Sequence, residues 1–202
     1  MNIQLYWHFS NGSEAHGSHR KLIVGKTYRV RGKPALCQHG LHASERALDA
    51  LHYGSGNVVS QVTLGGTVIA DTDKQVATQR TVIAQADATD ILHEFACWCG
   101  EQALLKERER GREPDARSWA AIEAKRAWLR GEINDDQLAA ARDAARDAGR
   151  DAAWAATWAA ARDAAWAATW DAAGGADKAA ARDATWAAQN AKLEEMLREL
   201  LA

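Results

Sequence analysis

Cys37, His39 and His42 lie within six residues of one another, and His93, Cys97 and Cys99 form a second such group. Imidazole and thiolate are ligands that zinc prefers, and four of them converging would make a tetrahedral site. His93 and Cys97 are spaced to share one helical face, and Cys37 with His39 or His42 could supply the remaining pair. The chain has no Cys-x-x-Cys pair, however, and its spacings match no zinc module. Core thiols are therefore the expected state, with no metal. No sharp turn presents a cysteine beside its base as covalent catalysis requires. Gly54-x-Gly56 and Gly65-Gly66 do not make a phosphate-binding loop. No catalytic set is complete, and no cofactor is expected. Three cysteines are also an odd and sparse set, which argues against a disulfide framework and for a reducing cytoplasm.

A second group of chemically active residues is cationic. Arg20, Lys21, Lys26, Arg29, Arg31 and Lys33 face a single acid, Glu14, before residue 34. Such a run attracts anions locally, or it is the solvated edge of a sheet. Nucleic acid is not the expected partner, because no aromatic side chains interleave in a recognisable binding motif.

The third group is a row. Arg142, Arg146, Arg150, Trp154, Trp158, Arg162, Trp166 and Trp170 fall at or on multiples of four, and Arg150–Trp158 is repeated as Arg162–Trp170. An α-helix turns 100° per residue, so each step of four drifts by about 40°. The row spirals, and its arginine end and tryptophan end meet different surroundings. The plain reading makes the tryptophans the core of a bundle or of an oligomer. The functional reading makes Arg142, Arg146, Arg150, Trp154, Trp158, Trp166 and Trp170 a partner-binding surface.

The elements that position these residues divide the chain. Residues 1–88 read as α+β: strands over Asn2–Phe9, Lys21–Val24 and Thr27–Val30, then a helix introduced by Gly40–Ser44, carrying Ala47, Leu48 and Leu51 and ending at Tyr53. Val58–Leu64 alternates as a strand, Gly65-Gly66 is expected to turn the chain into Val68-Ile69, and Thr78–Ala84 adds another strand. The result is a small antiparallel or mixed sheet. Residues 89–202 read as an all-helical bundle. Asp87–Asp90 caps a helix over Ile91–Lys106, Pro114 opens the next and Gly131 stops it. Asn134 with Gln137 forms a capping box before the alanine-rich segment. Gly174-Gly175 breaks that segment, and a last helix runs from Asp177 to Leu200.

Composition agrees with that division. Of 45 alanines, 27 fall between Ala139 and Ala191, so the 47% hydrophobic fraction overstates the core. Net charge is −2. No run of 18 apolar residues exists to cross a bilayer, and the first residues do not read as a secretory signal. A cytoplasmic location without membrane contact is the expectation.

Tyr6-Trp-His8, Gly25-Lys-Thr-Tyr28, Leu36-Cys37, Gly40-Leu-His-Ala-Ser44, Ala47-Leu-Asp-Ala-Leu51, Val62-Thr-Leu-Gly-Gly66, Asp73-Lys74 and Thr78-Gln-Arg80 together resemble an uncharacterised domain common in bacteriophage accessory proteins, over roughly residues 3–90. Phe95-Ala-Cys-Trp-Cys99, Ala121-Ile-Glu123, Trp128-Leu-Arg-Gly-Glu-Ile133 and the alanine-rich helices resemble a helical immunity-protein domain of polymorphic-toxin systems, which implies a protein that binds and neutralises another. More distantly, Tyr6-Trp-His8, Gly40–Ser44, Tyr53 and Val62–Gly65 follow one another in an order similar to ADP-ribosyltransferases. In that family a strand His and a later Tyr clamp the nicotinamide-ribose, and a late-strand Glu polarises a ribose hydroxyl. His8 takes the first place here, His42 or Leu41 falls where the Tyr belongs, and Gln79 stands where Glu would be. The ligand-binding set implied is His8, Arg29, His42, Ser44, Tyr53 and Gln79.

These resemblances imply a phage-type accessory protein that counters a bacterial defence system or toxin without catalysis. Its partner is a host defence or toxin protein, or an ADP-ribose-like nucleotide signal that it sequesters, with homo-oligomerisation through the helical domain. The alternative is a divergent ADP-ribosyltransferase or other NAD-dependent enzyme.

Overall fold

The computed structural model describes residues 3–13, 20–167 and 174–202, with side chains described outside residues 152–182. The chain is α+β: a five-stranded antiparallel sheet, interrupted by one short helix, is followed by helices. It divides into two compact units, one formed by Met1–Leu92 with Ala187–Ala202 and the other by His93–Trp186.

In the sheet unit, β1 (Tyr6–Ser10), β2 (Thr27–Arg29), β3 (Leu41–Ala43), β4 (Val58–Ala70) and β5 (Gln75–Asp87) are joined by α1 (Ala47–His52) between β3 and β4. All pairings are antiparallel, in the order β1-β4-β5-β2. β3 shares the far edge of β5 with β2, setting Leu41 against Ala77 where β2 sets Arg29 against Gln79. Just past β3, Ser44 pairs with Trp7 of β1: the Trp7 N–H donates to the Ser44 carbonyl at 2.8 Å and the Ser44 N–H donates back at 3.0 Å. The hydrogen-bonded path β1-β4-β5-β3 therefore returns to β1. Leu22, Tyr28, Leu41, Ala43, Val62 and Val82 form a core cluster with each residue at most 6% exposed.

Three details differ from the sequence reading. Lys21–Val24 is not a strand; Lys21 makes one isolated bridge to Ser13, and Leu22 anchors the segment in the core. Leu41–Ala43, expected to introduce the helix, is β3, and Gly40 before it takes φ +127°. A Cβ on Gly40 would meet the Val76 side chain at 2.3 Å, so glycine is what lets β3 reach β5. Gly65-Gly66 does not reverse the chain. β4 runs through it with a register shift between Gly65 and Val68, Gly66 taking φ +72° as a bulge allows, and the reversal comes at Asp71–Lys74.

Four helices follow, α2 (Thr89–Glu109), α3 (Ala116–Leu129), α4 (Asp135–Ala167) and α5 (Gly174–Leu201). Their starts are set by local caps. Asp87 Oδ1 accepts from the Thr89 N–H at 2.8 Å, and Asp115 Oδ1 from the Arg117 N–H at 2.8 Å. The capping box forms as expected: Asn134 Oδ1 accepts from the Gln137 N–H at 2.9 Å, and Gln137 Oε1 from the Asn134 N–H at 3.0 Å. α1 is capped differently. Arg46 at its N-cap contributes no side-chain bond. Instead α5 supplies the acceptors, Glu194 Oε1 for the Ala47 N–H at 3.3 Å and Asn190 Oδ1 for the Leu48 N–H at 3.1 Å. Among the described residues, no helix is long and apolar enough to cross a membrane.

Candidate functional site

A cavity of about 280 Å³ opens in the sheet unit where β1 and β3 meet. Trp7 and Phe9 of β1, Leu41 and Ala43 of β3, and Ala50 of α1 form its apolar wall. Its polar lining comes from His8, Cys37, His42, Ser44, Tyr53, Ser55, Lys74 and Arg80. Among the described residues, the ionisable lining thus consists of two lasting cations, two imidazoles, a thiol and a phenol.

Arg80 organises the floor. It lies on β5 at 2% exposure, and its Nη1 donates to the His42 carbonyl at 2.8 Å and to His8 Nδ1 at 3.3 Å. An arginine donates only, so His8 Nδ1 is the acceptor. Burial, then the Arg80 charge, then His42 hold the His8 pKa well below the ordinary imidazole value. His8 is therefore neutral at physiological pH, with its proton on Nε2. That N–H is buried and has no partner. A buried donor left unsatisfied costs about 1–3 kcal/mol. Desolvation also strengthens the attraction between a buried guanidinium and an anion.

His42 is fixed from the other side. The Cys37 N–H donates to His42 Nε2 at 3.2 Å, which places the neutral ring's proton on Nδ1. Cys37 takes φ +59°, the left-handed region rare outside glycine. At the rim, Tyr53 is 48% exposed, its hydroxyl donates to Asp73 Oδ2 at 2.6 Å, and Lys74 Nζ stands 4.2 Å from its ring centroid. The bond to Asp73 raises the Tyr53 pKa. Hydrogen bonding to Cys37, then to Tyr53, raises that of Lys74.

Four of the six ligand-binding candidates, His8, His42, Ser44 and Tyr53, line this cavity. Arg29 and Gln79 face each other across β2 and β5 and lie outside its lining. Arg80 and Lys74 were missed as site residues. Arg80 carried a signal, a lone cation two residues before Val82 in an alternating strand; Lys74, in a polar turn, carried none. The six residues once weighed as metal ligands divide. Cys37 and His42 line the cavity, while His39 Nε2 bonds the Arg31 carbonyl at 2.7 Å. His93 packs edge-on to Trp128 at 5.8 Å in the helical unit, Cys97 is buried, which raises its pKa, and Cys99 is half-buried. Among the described residues, no cluster of three or more such groups could hold a metal ion.

The partner-binding row is described over its arginine end. Arg146 and Arg150 pair with Asp143 and Asp147 at 3.0 Å each, and Arg142 is exposed. The side chains of Trp154, Trp158 and Trp166, and Trp170 altogether, lie outside the described residues.

Fold and cavity together define a small α+β unit with a cationic pocket where β1 and β3 meet, in a chain whose other unit is helical. Residues 9–94 match the family model of a domain of unknown function, DUF7666. The matched segment takes in Cys37, His42, Ser44, Tyr53, Lys74 and Arg80, and His8 stands one residue ahead of its start. No curated protein and no solved structure matches the chain.

Proposed function

We propose that the sheet unit binds an anionic, nucleotide-like small molecule of the ADP-ribose class and sequesters it without turning it over. The observation that carries this is the charge of the cavity: its lining holds the cations Lys74 and Arg80 and, among the described residues, no carboxylate. A phosphorylated ribose brings anionic oxygens to that cationic lining. Trp7, Phe9 and Leu41 give an apolar wall for a ring. Ligand pockets span roughly 300–1,000 Å³, so a cavity of about 280 Å³ takes a nucleoside-sized half and leaves the rest beside Lys74 and Tyr53. A phage-type role against a defence system or toxin follows if that molecule is a host signal.

Isothermal titration calorimetry with ADP-ribose, AMP and adenosine tests the reading. The two phosphorylated compounds are expected to bind at least about tenfold more tightly than adenosine, and Lys74→Ala to weaken them by about tenfold, the worth of one hydrogen bond near 1.4 kcal/mol. Equal binding of adenosine, or no binding, contradicts it. A second reading, NAD-dependent ADP-ribosyl transfer, is favoured by the meeting of His8, His42 and Tyr53 at one cavity. Nicotinamide release from NAD that His8→Ala abolishes would put that reading in place of sequestration.

A further inference from the structure

The turn that leads from the Leu22 segment into β2 departs from the usual composition of a turn. Turn tips are ordinarily glycine, proline, asparagine, aspartate or serine, yet at this one Ile23 is 49% and Val24 53% exposed. The Lys26 N–H donates to the Ile23 carbonyl at 3.1 Å, and Gly25 takes φ +81°, as the second central position of a type II turn does. The turn is held firmly at its base. Leu22 is buried, and the Tyr28 hydroxyl donates to the Lys21 carbonyl at 2.6 Å and accepts from the Ile23 N–H at 2.9 Å. The Gly25 N–H donates to the Val82 carbonyl at 2.8 Å. The tip itself protrudes: a Cβ built on Gly25 would meet no other group within 4 Å.

Around these two aliphatic side chains the surface is cationic. Arg20, Lys21, Lys26 and Arg29 are all exposed, and the Arg20 guanidinium and Lys26 Nζ stand 5.6 and 5.3 Å from the Tyr28 ring centroid, which holds them beside the turn. No carboxylate occurs in residues 15–44, and β4 and β5 carry none before Asp87. We propose that this turn is a membrane-docking site that sets Ile23 and Val24 into the surface of a bilayer rich in anionic lipid, while the surrounding cations meet the lipid phosphates. Apolar side chains on a basic surface bind such an interface by entering the acyl boundary, and each nearby cation adds to the attraction. Nucleic acid would need an exposed aromatic for its bases to stack on, and Tyr28 is buried. A protein partner asks for charges in fixed register, whereas a rim of one sign suits a fluid surface. The expectation of no membrane contact rests on the lack of a spanning segment, and a turn that dips two side chains needs none. The cavity plays no part in this contact, so docking and sequestration stand or fall separately.

Co-sedimentation of the full chain with vesicles tests the proposal. Vesicles of equal parts phosphatidylglycerol and phosphatidylcholine are expected to bind at least about tenfold more tightly than phosphatidylcholine alone, and Lys21→Gln to weaken that binding by about fivefold, the share of one cation near such a surface. Ile23→Ser combined with Val24→Ser is expected to lose about tenfold or more, with the thermal midpoint kept because both side chains are half exposed. No binding to the anionic vesicles, or equal binding to both kinds, overturns the proposal. So does a double variant that binds undiminished, the result for a basic patch acting alone. Fluorescence anisotropy with a labelled single-stranded oligonucleotide adds a competitor. An oligonucleotide bound more tightly than the vesicles, with an affinity the double variant leaves unchanged, would overturn docking in favour of nucleic acid. Vesicles left unbound, together with a dimer that the double variant dissolves, would make a second copy of this chain the occupant instead.

Discussion

The two units are held together by different physics. In the sheet unit Phe9, Leu22, Tyr28, Val59, Val62, Val76 and Val82 are each at most 2% exposed, and strands close around them. In the helical unit the buried residues among those described are Phe95, Cys97, Leu138 and Ala148, and α3 buries none. What that unit shows instead is charge. Arg126 reaches Glu94 and Glu101 at 3.0 Å and Glu123 at 3.4 Å, and Arg117 bridges Asp115 at 2.7 Å and Asp151 at 2.9 Å. Surface pairs contribute little each, and alanine helices persist largely by intrinsic propensity. A shaped cavity needs walls that do not move. The unit with the apolar core has one.

The comparison can be broken at its strongest point first. Phe9→Ala removes a side chain 2% exposed on the cavity wall and is expected to cost about 3–5 kcal/mol, read as a loss of hydrogen-exchange protection across β1, β4 and β5. A loss below about 1 kcal/mol would mean that the core does not carry this unit. Arg126→Met should cost about 1–1.5 kcal/mol by breaking the pairs to Glu94 and Glu101, which stay partly exposed, with exchange rising in α2 and α3. No change there would reduce the Arg126 network to surface decoration.

A third prediction concerns pH. Burial keeps the folded-state pKa of His8 below the usual value near 6.5, so the unfolded chain takes up the proton first as pH falls. The groups facing the ring are Arg80 and His42, both of which lower it further. The His8 contribution to stability is therefore flat above about pH 6.5 and declines below it, by up to about 1.4 kcal/mol per pH unit until the folded pKa is reached. Urea midpoints should show this decline in the native chain and lose that component in His8→Gln. The smallest effect expected is that of Asn190→Ala, about 1 kcal/mol, the worth of a helix cap. Its signature should be faster exchange in α1, far away in sequence, because Asn190 caps Leu48.

What the sequence made legible was local. Asn134 and Gln137 are three apart, and their reciprocal bonds are those the spacing implies. The Asp143–Arg146 and Asp147–Arg150 pairs follow equally from helical neighbours. β1, β2, β4 and β5 were visible in the sequence and β3 was not, and Gly65-Gly66 was misleading: paired glycines permit a bulge as readily as a turn, and the partner strand decides between them. The caps of α1 were illegible because their donors and acceptors lie 142 and 147 residues apart. Half of the site was visible as His8, His42, Ser44 and Tyr53. Its cationic part was not taken up: Lys74 stands in a polar turn that gives no signal, and Arg80, a lone cation in an alternating strand, reads as solvent-facing until its 2% exposure is seen.

The account turns on whether the cavity of the sheet unit takes an anionic nucleotide. An amide chemical-shift titration of the labelled chain with ADP-ribose answers this residue by residue. The account predicts saturable shifts at Trp7, His8, His42, Ser44, Tyr53 and Lys74, with 93–186 unmoved. No saturable shift, or shifts confined to the basic segment 20–33, would contradict it.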